Sequence, residues 1–343
     1  MIIGKRNAGA FRLKPNMRTP LAERYRDRLP ITETTPIVSL GESGTPLLRA
    51  ERISERLGAD VYLKWEGANP TGSFKDRGMT VAISIALERG AHAVVCASTG
   101  NTAASAAAYA ARAGLQALVL QPAGAVASAK LAQASALGAR VLEVRGSFDD
   151  GLRAARALAD RGTHVLVNSL NPDRLEGQKT AAFEIVDELG AAPDVLALPY
   201  GGGGNLCAYW RGFTEAGTGG PRILAGEAAQ RATTVASAIR ITTPAHAADV
   251  EEAIRGSNGT VVPLGDEAIL QAWQELAHDE GVFCEPASAA GLAALGQTRL
   301  DPGERVVCVV TGHGLKDPET AARLSPPPVV VDADPDAIEE ATR

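Results

Sequence analysis

The sequence predicts an α/β protein made of two parallel-sheet subdomains, with the functional site in the cleft between them. Short, almost wholly apolar strands alternate along the chain with alanine-rich helices. This is the pattern of parallel sheets that are covered by helices on both faces. Glycine-rich turns also follow two of the strands and open helices, at 98–101 and at 201–204. Turns of this kind lie at the ligand-binding edge of such sheets.

The elements are predicted in chain order from the apolar runs and the helical spacing between them. The predicted strands are 61–64, 93–97, 117–121, 141–144, 165–167, 195–198, 223–225 and 306–310. The predicted helices include 79–87, 102–113, 127–137, 148–160, 177–189 and 266–279.

Three regions are expected along the chain. Residues 1–35 are charged and punctuated by proline, which predicts an irregular N-terminal arm. Residues 36–320 form the expected catalytic unit, with a smaller subdomain at about 85–170 and a larger one built from the flanking segments. The proline-rich, acidic segment 321–343 is expected to be a peripheral tail.

Composition excludes several classes of function. The 343-residue chain has a net charge of -6 and no basic cluster, so nucleic acid and anionic membranes are poor partners. No apolar run approaches the roughly 20 residues of a membrane helix, and the first residues lack the apolar core of a secretory signal. The four cysteines form no CxxC pair, which indicates a reduced, cytoplasmic protein. The five histidines lack metal-ligand spacing, so no metal is expected.

The most informative residue is Lys75. It follows the turn formers Asn69-Pro70 and Thr71-Gly72 and precedes an apolar helical run at 79–87, which places it near a helix start. The positive end of a helix, together with partial burial, disfavours an ammonium group and should lower its pKa. A neutral amine is what an imine-forming lysine needs. A solvated lysine beside charged neighbours is the alternative on this spacing alone.

Two strand-to-helix loops are candidate anion sites. In the first, Ser98 to Thr102, the N–H groups suit an anion, although the polar side chains could serve only as helix caps. In the second, Gly201–Gly204 precede Asn205, and consecutive glycines suit close approach of backbone N–H groups to a phosphate. A dinucleotide would also fit there, with Glu227 as the acid for its ribose.

A third strand end carries Thr311 in a Thr-Gly-His-Gly turn. Its hydroxyl either caps the turn or enters the crevice as a neutral hydrogen-bond partner. His313 is flanked by glycines and is interpreted as a loop residue rather than a catalyst. A lysine able to form a Schiff base, together with a phosphate cradle, is what pyridoxal 5'-phosphate (PLP) requires.

Six segments, in order and within residues 22–320, resemble the threonine synthase family of the tryptophan-synthase-β-like (fold type II) PLP enzymes. The segments are 67–78 (GANPTGSFKDRG), 97–102 (ASTGNT), 168–174 (NSLNPDR), 176–180 (EGQKT), 285–290 (EPASAA) and 311–318 (TGHGLKDP). The lysine segment marks the wider group, and the Asn-Pro-x-Arg and Gly-Leu-Lys-Asp-Pro segments narrow it to the threonine synthases.

The resemblance implies a role for each matching residue. Lys75 would carry PLP and shuttle protons, Asn101 would bind the ring hydroxyl and Thr311 would meet the pyridine nitrogen. The cofactor phosphate would be held by Gly201, Gly202, Gly203, Gly204 and Asn205. Substrate-binding candidates are Ser98, Thr102, Asn168, Ser169 and Arg174. The implied reaction converts O-phospho-L-homoserine and water to L-threonine and phosphate, in a homodimer.

Some residues depart from the family pattern. Gly202 stands where an asparagine is usual, Glu227 where a glutamine is usual, and Thr242-Thr243 where Gly-Asn is usual, while the segment 228–232 looks shortened. The departures cluster on the substrate side of the larger subdomain. They are also compatible with a second function, that of a related lyase or β/γ-replacement enzyme acting on a different amino acid. An NAD-dependent oxidoreductase, which would have no use for Lys75, is the alternative of a different class.

Overall fold

The computed structural model describes residues 19–124 and 129–342. The α-helices in these ranges are α1 (Leu21–Arg24), α2 (Glu51–Leu57), α3 (Lys75–Glu88), α4 (Asn101–Ala113), α5 (Ala129–Ala136), α6 (Phe148–Asp160), α7 (Pro172–Leu189), α8 (Gly204–Ala216), α9 (Ala247–Gly256), α10 (Asp266–His278), α11 (Ala290–Gly296), α12 (Pro318–Leu324) and α13 (Pro335–Ala341). The strands are β1 (Leu47–Arg49), β2 (Asp60–Trp65), β3 (Ala93–Ala97), β4 (Gln116–Pro122), β5 (Arg140–Val144), β6 (Val165–Leu166), β7 (Val195–Pro199), β8 (Arg222–Ala228), β9 (Thr260–Leu264) and β10 (Arg305–Val310).

The larger sheet has six strands in the order β1-β2-β10-β7-β8-β9. Only β1 runs antiparallel to its neighbour. In the centre of the sheet, Val306 pairs with Val61 on one side and with Val195 on the other. Every residue of β7 is buried, which explains its unbroken apolar sequence, because helices cover both faces of a parallel strand.

The smaller sheet has four parallel strands in the order β5-β4-β3-β6. The sequence Ala-Val-Val-Cys-Ala of β3 is buried throughout, and Val94 pairs with Ala117 of β4 and Val165 of β6. The predicted fold class, an α/β protein with two parallel sheets, is confirmed. The residue boundaries proposed for the two subdomains stay a prediction.

Helix α7 begins earlier than the sequence predicted. The prediction started at 177, whereas the helix starts at Pro172, where proline is compatible with the first helical position. Asn171 caps this start, since its side-chain oxygen accepts the backbone N–H of Asp173 at 2.9 Å. The extra turn brings Arg174 into the helix and therefore into a fixed orientation.

The chain ends differ in how they pack. Residues 1–18 of the predicted arm lie outside the described residues, whereas Leu21 and Ala22 are fully buried against Phe183 and its neighbours. In the tail, α13 has no buried residue. Among the described residues, no helix combines the length and apolar character needed to span a membrane.

Candidate active site

Lys75 is the first residue of α3, as predicted, and it is fixed beside the end of β10. The backbone N–H of Phe74 donates to the carbonyl of Thr311 at 3.0 Å, and Ser73 forms an isolated antiparallel bridge with Gly312. The lysine loop is thereby joined to the strand end that carries Thr311. These two parts of the site are far apart in sequence and adjacent in the fold.

The environment of Lys75 favours its neutral form. Burial, reinforced by the positive charge of Arg174, lowers the pKa of Lys75 from 10.5 to about 7, and the Glu285 carboxylate opposes this shift. The predicted fall in pKa is confirmed, although burial and Arg174 are its main causes. A lowered pKa favours the neutral amine near neutral pH, which is the form that acts as a nucleophile and a base.

The neighbours of Lys75 are buried rather than solvated. Asp76 accepts the Thr71 N–H at 2.7 Å and the hydroxyls of Thr71 and Ser105 at 2.6 Å. Arg77 is fully buried and donates to Glu66 and Glu184 at 2.6–2.8 Å. These contacts fix the first turn of α3, and they exclude the reading of Lys75 as part of a solvated charged patch.

Asn101 is the first residue of α4 and is buried. Its side-chain Nδ2 donates to Oε1 of Glu285 at 2.6 Å, while its buried Oδ1 has no hydrogen-bond partner among the described residues. Glu285 also lies 2.7 Å from Nζ of Lys130. The sequence pattern does not predict a role for Glu285 or Lys130, because neither stands at a predicted strand end.

The glycine loop lies between β7 and α8. Gly203 has a left-handed conformation (φ 89°), and a Cβ there would lie 2.7 Å from Val250 Cγ2. Within the described ranges, no backbone N–H from Gly202 to Asn205 has an acceptor, and the buried Nδ2 of Asn205 has none either. Unpaired N–H groups at a helix start form an anion site.

Thr311 lies directly after β10 and is buried. Its hydroxyl is 2.9 Å from that of Ser288, which in turn accepts the backbone N–H of Gly312 at 2.8 Å. The hydroxyl is therefore held in a neutral hydrogen-bonded pair. His313 accepts the N–H of Leu315 through Nδ1 at 3.1 Å, so its ring takes part in the turn.

Arg174 is fully buried on α7. Its Nη1 donates to the carbonyl of Val167 at 3.2 Å, whereas Nε and Nη2 have no partner in the part of the chain that is described. Burial lowers the pKa of Arg174 to about 10, so it remains a cation at neutral pH. A buried cation with two free donors is a strong anion site.

The other substrate-side candidates lie at the ends of β3 and β6. Both polar atoms of the Asn168 side chain are used on the backbone of Ala97, at 3.0 and 2.8 Å. The Ser98 hydroxyl accepts the Gly100 N–H at 3.1 Å, and Thr102 is half-buried in the first turn of α4. The carbonyl of Ser169 lies 3.0 Å from Nε2 of His246, the residue that precedes α9.

The unpaired groups fit PLP. The buried lysine has a lowered pKa, the glycine loop offers free N–H groups, and Asn101 and Asn205 each hold an orphaned polar atom. A buried, unpaired polar atom is costly and is expected to meet a ligand. The fold and these groups define the class of the protein, a PLP-dependent enzyme.

Comparisons with known proteins agree. The profile of the family described as "Pyridoxal-phosphate dependent enzyme" matches residues 38–312. The chain is 50% identical to threonine synthase of Halalkalibacterium halodurans (88% of this chain, 90% of that one) and 52% identical to that of Synechocystis sp. (89% and 85%). The archaeal threonine synthase of Methanocaldococcus jannaschii is 46% identical (91% and 84%). The chain belongs to the threonine synthase family of PLP-dependent enzymes, which confirms the resemblance and the cofactor.

Solved structures show the same fold. Maize serine racemase superposes with a TM-score of 0.72 at 23% identity, covering 81% of this chain and 90% of the racemase. Threonine deaminase isoform 2 from Solanum lycopersicum gives 0.69 at 23% identity, covering 78% and 79%. The dinucleotide alternative does not fit this family, and Glu227, its proposed ribose acid, is ion-paired with Arg231.

Proposed function

We propose that the protein is a threonine synthase that converts O-phospho-L-homoserine and water to L-threonine and phosphate. Arg174 carries this proposal. Its guanidinium is buried near Lys75, and its Nε and Nη2 have no hydrogen-bond partner in the described structure. These two donors are therefore available to an anionic group of the substrate. A phosphate dianion suits that fork of donors. The identity of about one half to threonine synthases supports the same substrate.

Lys75 is the proposed proton carrier. When bound, PLP supplies an electron sink for negative charge that develops on the substrate carbon. With a pKa of about 7, the Lys75 amine can accept a proton from carbon at neutral pH and return it to a later position. It would take the α-proton and then a β-proton, and phosphate would leave the γ-carbon. A proton would return to the γ-carbon, water would add its hydroxyl at the β-carbon and give its other hydrogen to phosphate, and a proton would return to the α-carbon.

The remaining residues have proposed holding roles. Gly201, Gly202, Gly203, Gly204 and Asn205 would bind the cofactor phosphate. Asn101 would contact the ring hydroxyl and Thr311 the ring nitrogen. The Thr311 hydroxyl is paired with Ser288 and is not an acid, so it would not keep that nitrogen protonated.

The substrate side combines direct and indirect contacts. Ser98, Thr102 and Ser169 would contact the substrate together with Arg174. Asn168 would act by fixing its own loop to β3, since its amide is already paired with Ala97. The hydroxyls of Ser98, Thr102 and Ser169 and the guanidinium of Arg174 would then bind the carboxylate and the phosphate of the substrate.

A second candidate is a related lyase or β/γ-replacement enzyme for another amino acid. Gly202, where the family usually has asparagine, removes a side chain from the loop that faces the cleft. Among residues 19–124 and 129–342, a Cβ at this position would contact only Ile241 Cδ1, at 3.5 Å. A substrate with a different γ-substituent could use that space.

The assembly and the compartment are further proposals. We propose that the protein acts as a homodimer in the cytoplasm, on a small phosphorylated amino acid and without nucleic acid or membrane partners. Light scattering of the PLP-loaded protein measures the mass of the particle directly.

The deciding experiment follows phosphate release and threonine formation from O-phosphohomoserine by the PLP-loaded protein. O-phosphoserine and unphosphorylated homoserine are the comparison substrates, because each lacks one feature of the proposed substrate. Threonine formation only from O-phosphohomoserine supports the proposal. Retained PLP absorbance with turnover of a different amino acid selects the second candidate.

A further inference from the structure

Arg231 is hydrogen-bonded to the backbone of the glycine loop. Its Nη1 donates to the carbonyl of Gly201 at 3.2 Å and to that of Ile241 at 3.0 Å. Its Nε donates to Oε2 of Glu227 at 3.1 Å, and its guanidinium carbon lies 4.6 Å from the centre of the Tyr200 ring. One partly buried side chain therefore connects β8, the glycine loop and the segment that follows β8.

These contacts set the direction of a peptide group. In a trans peptide the C=O and the next N–H point in opposite directions. Because the Gly201 carbonyl points toward Arg231, the N–H of Gly202 points away from Arg231. The Gly202 carbonyl is held in the same way by the backbone N–H of His246, at 3.1 Å, which directs the N–H of Gly203.

Of these two hydrogen bonds to the loop carbonyls, only the bond from Arg231 to Gly201 is donated by a side chain. The His246 contact comes from the backbone and survives substitution, whereas the Gly201 contact depends on the guanidinium of Arg231. Glu227 keeps that guanidinium in place through an ion pair at the end of β8. It stands where the family usually has glutamine, so this chain has a charged partner for Arg231 at a position where a neutral amide is usual.

We propose that Arg231, held by Glu227, is a positioning residue for the cofactor phosphate: it aims the Gly202 N–H into the loop and never touches the cofactor itself. The proposal deepens the proposed function, since it rests on the assignment of the glycine loop to the PLP phosphate. It also explains the departure at Glu227 without a change of substrate.

The test titrates the apoprotein with PLP and with pyridoxal, which lacks the phosphate, and follows the visible band of the bound cofactor. For Arg231→Gln, we expect PLP affinity to fall about tenfold, the effect of one lost hydrogen bond to a charged group, with pyridoxal affinity unchanged. Arg231→Lys keeps the positive charge, but a single ammonium group cannot reach Glu227 and the carbonyls of Gly201 and Ile241 together. Most of the loss of PLP affinity should therefore remain in this variant.

The matched control is Arg240→Gln. Arg240 lies in the same segment, and its guanidinium donates to the carbonyl of Thr234 at 3.1 and 2.6 Å rather than to the loop. This variant should bind both compounds as the unmodified protein does. Glu227→Gln should show part of the Arg231→Gln effect, and adding it to Arg231→Gln should change little.

Each outcome has one meaning. Unchanged PLP affinity in Arg231→Gln, equal losses for PLP and pyridoxal, or full recovery in Arg231→Lys would overturn the proposal. If the unmodified protein itself binds the two compounds equally, the glycine loop is not the phosphate site and the assignment beneath the proposal fails. If PLP binds as expected but no threonine forms, only the proposed reaction fails.

Discussion

Gly78 lies directly against the backbone of Arg174. A Cβ at Gly78 would be 2.6 Å from the carbonyl oxygen of Arg174, and a Cβ at Gly177 would overlap the carbonyl of Arg77 in return. The helices that carry Lys75 and Arg174 therefore touch through glycine on both sides. This close approach brings the guanidinium near enough to lower the pKa of the lysine.

Gly78→Ala should separate these helices. We expect a loss of unfolding free energy of about 1–3 kcal/mol, the usual result of overpacking, measured by urea denaturation. Gly296→Ala in α11 is the control, because no atom of the described residues lies within 4 Å of the added methyl group and alanine favours a helix. Equal stability of the two variants would contradict the close contact.

Lys75→Ala should abolish the visible absorbance of PLP-loaded protein, since no other amine is proposed to carry the cofactor. Lys316→Met is the control. Lys316 is also buried, and burial lowers its pKa to about 8, but its Nζ donates to Gln133 at 2.5 Å. A band that survives in Lys75→Ala and disappears in Lys316→Met would move the cofactor to Lys316.

The capture of PLP by the apoprotein should depend on the pKa of Lys75. The reactive form is the neutral amine, which is lost as the pH falls through about 7. The rate constant should therefore fall about tenfold for each pH unit well below 7 and level off above it, as stopped-flow absorbance would show.

The control for this pH profile is a free lysine side chain in a peptide, whose rate should keep rising toward pH 10. Arg174 supplies part of the shift, so Arg174→Met should move the protein's inflection to higher pH. An inflection that stays in place in this variant would show that burial alone sets the pKa of Lys75.

The local pattern was enough to predict much of the fold. The strand predicted at 93–97 coincides with β3, because a run of small apolar residues buried on both faces has few alternatives. Strand β9 was missed, since Pro263 interrupts it, and proline is tolerated there only because β9 is an edge strand.

The positions of Lys75, Asn101 and Thr311 in the fold could be predicted, because each follows a strand or opens a helix, while their roles stay predictions. Glu285 and Arg231 could not be found in this way. Each lies in an irregular segment, and only the tertiary fold brings it to its partner. Glu285 accepts a hydrogen bond from Asn101, and Arg231 donates one to the carbonyl of Gly201.

Arg77→Met should destabilise the protein strongly. Arg77 forms ion pairs with both Glu66 and Glu184, and both carboxylates are fully buried. Burial alone would raise the pKa of Glu184, but the positive charges of Arg77 and Lys64 hold this pKa well below its usual range. Removing one partner of a buried pair costs about 3–5 kcal/mol, which urea denaturation would measure. Arg49→Met, which breaks only exposed ion pairs, should change stability little.

Arg174→Met should separate stability from function. Because Nε and Nη2 of Arg174 are buried and unpaired, replacing the cation by an apolar side chain should leave the apoprotein as stable as before or more stable. Binding of the phosphorylated substrate should weaken by about 2–3 kcal/mol, the loss of a charge-assisted pair, and appear as a raised KM.

Arg89→Met is the control for this variant, since Arg89 is exposed and lies 3.6 Å from Asp173 at the edge of the same helix pair. It should alter neither thermal stability nor KM. A destabilised Arg174→Met apoprotein with an unchanged KM would mean that Arg174 is a structural cation. In that case the substrate phosphate must be held elsewhere in the cleft, and Ser98, Thr102 and Ser169 would be the residues to substitute next.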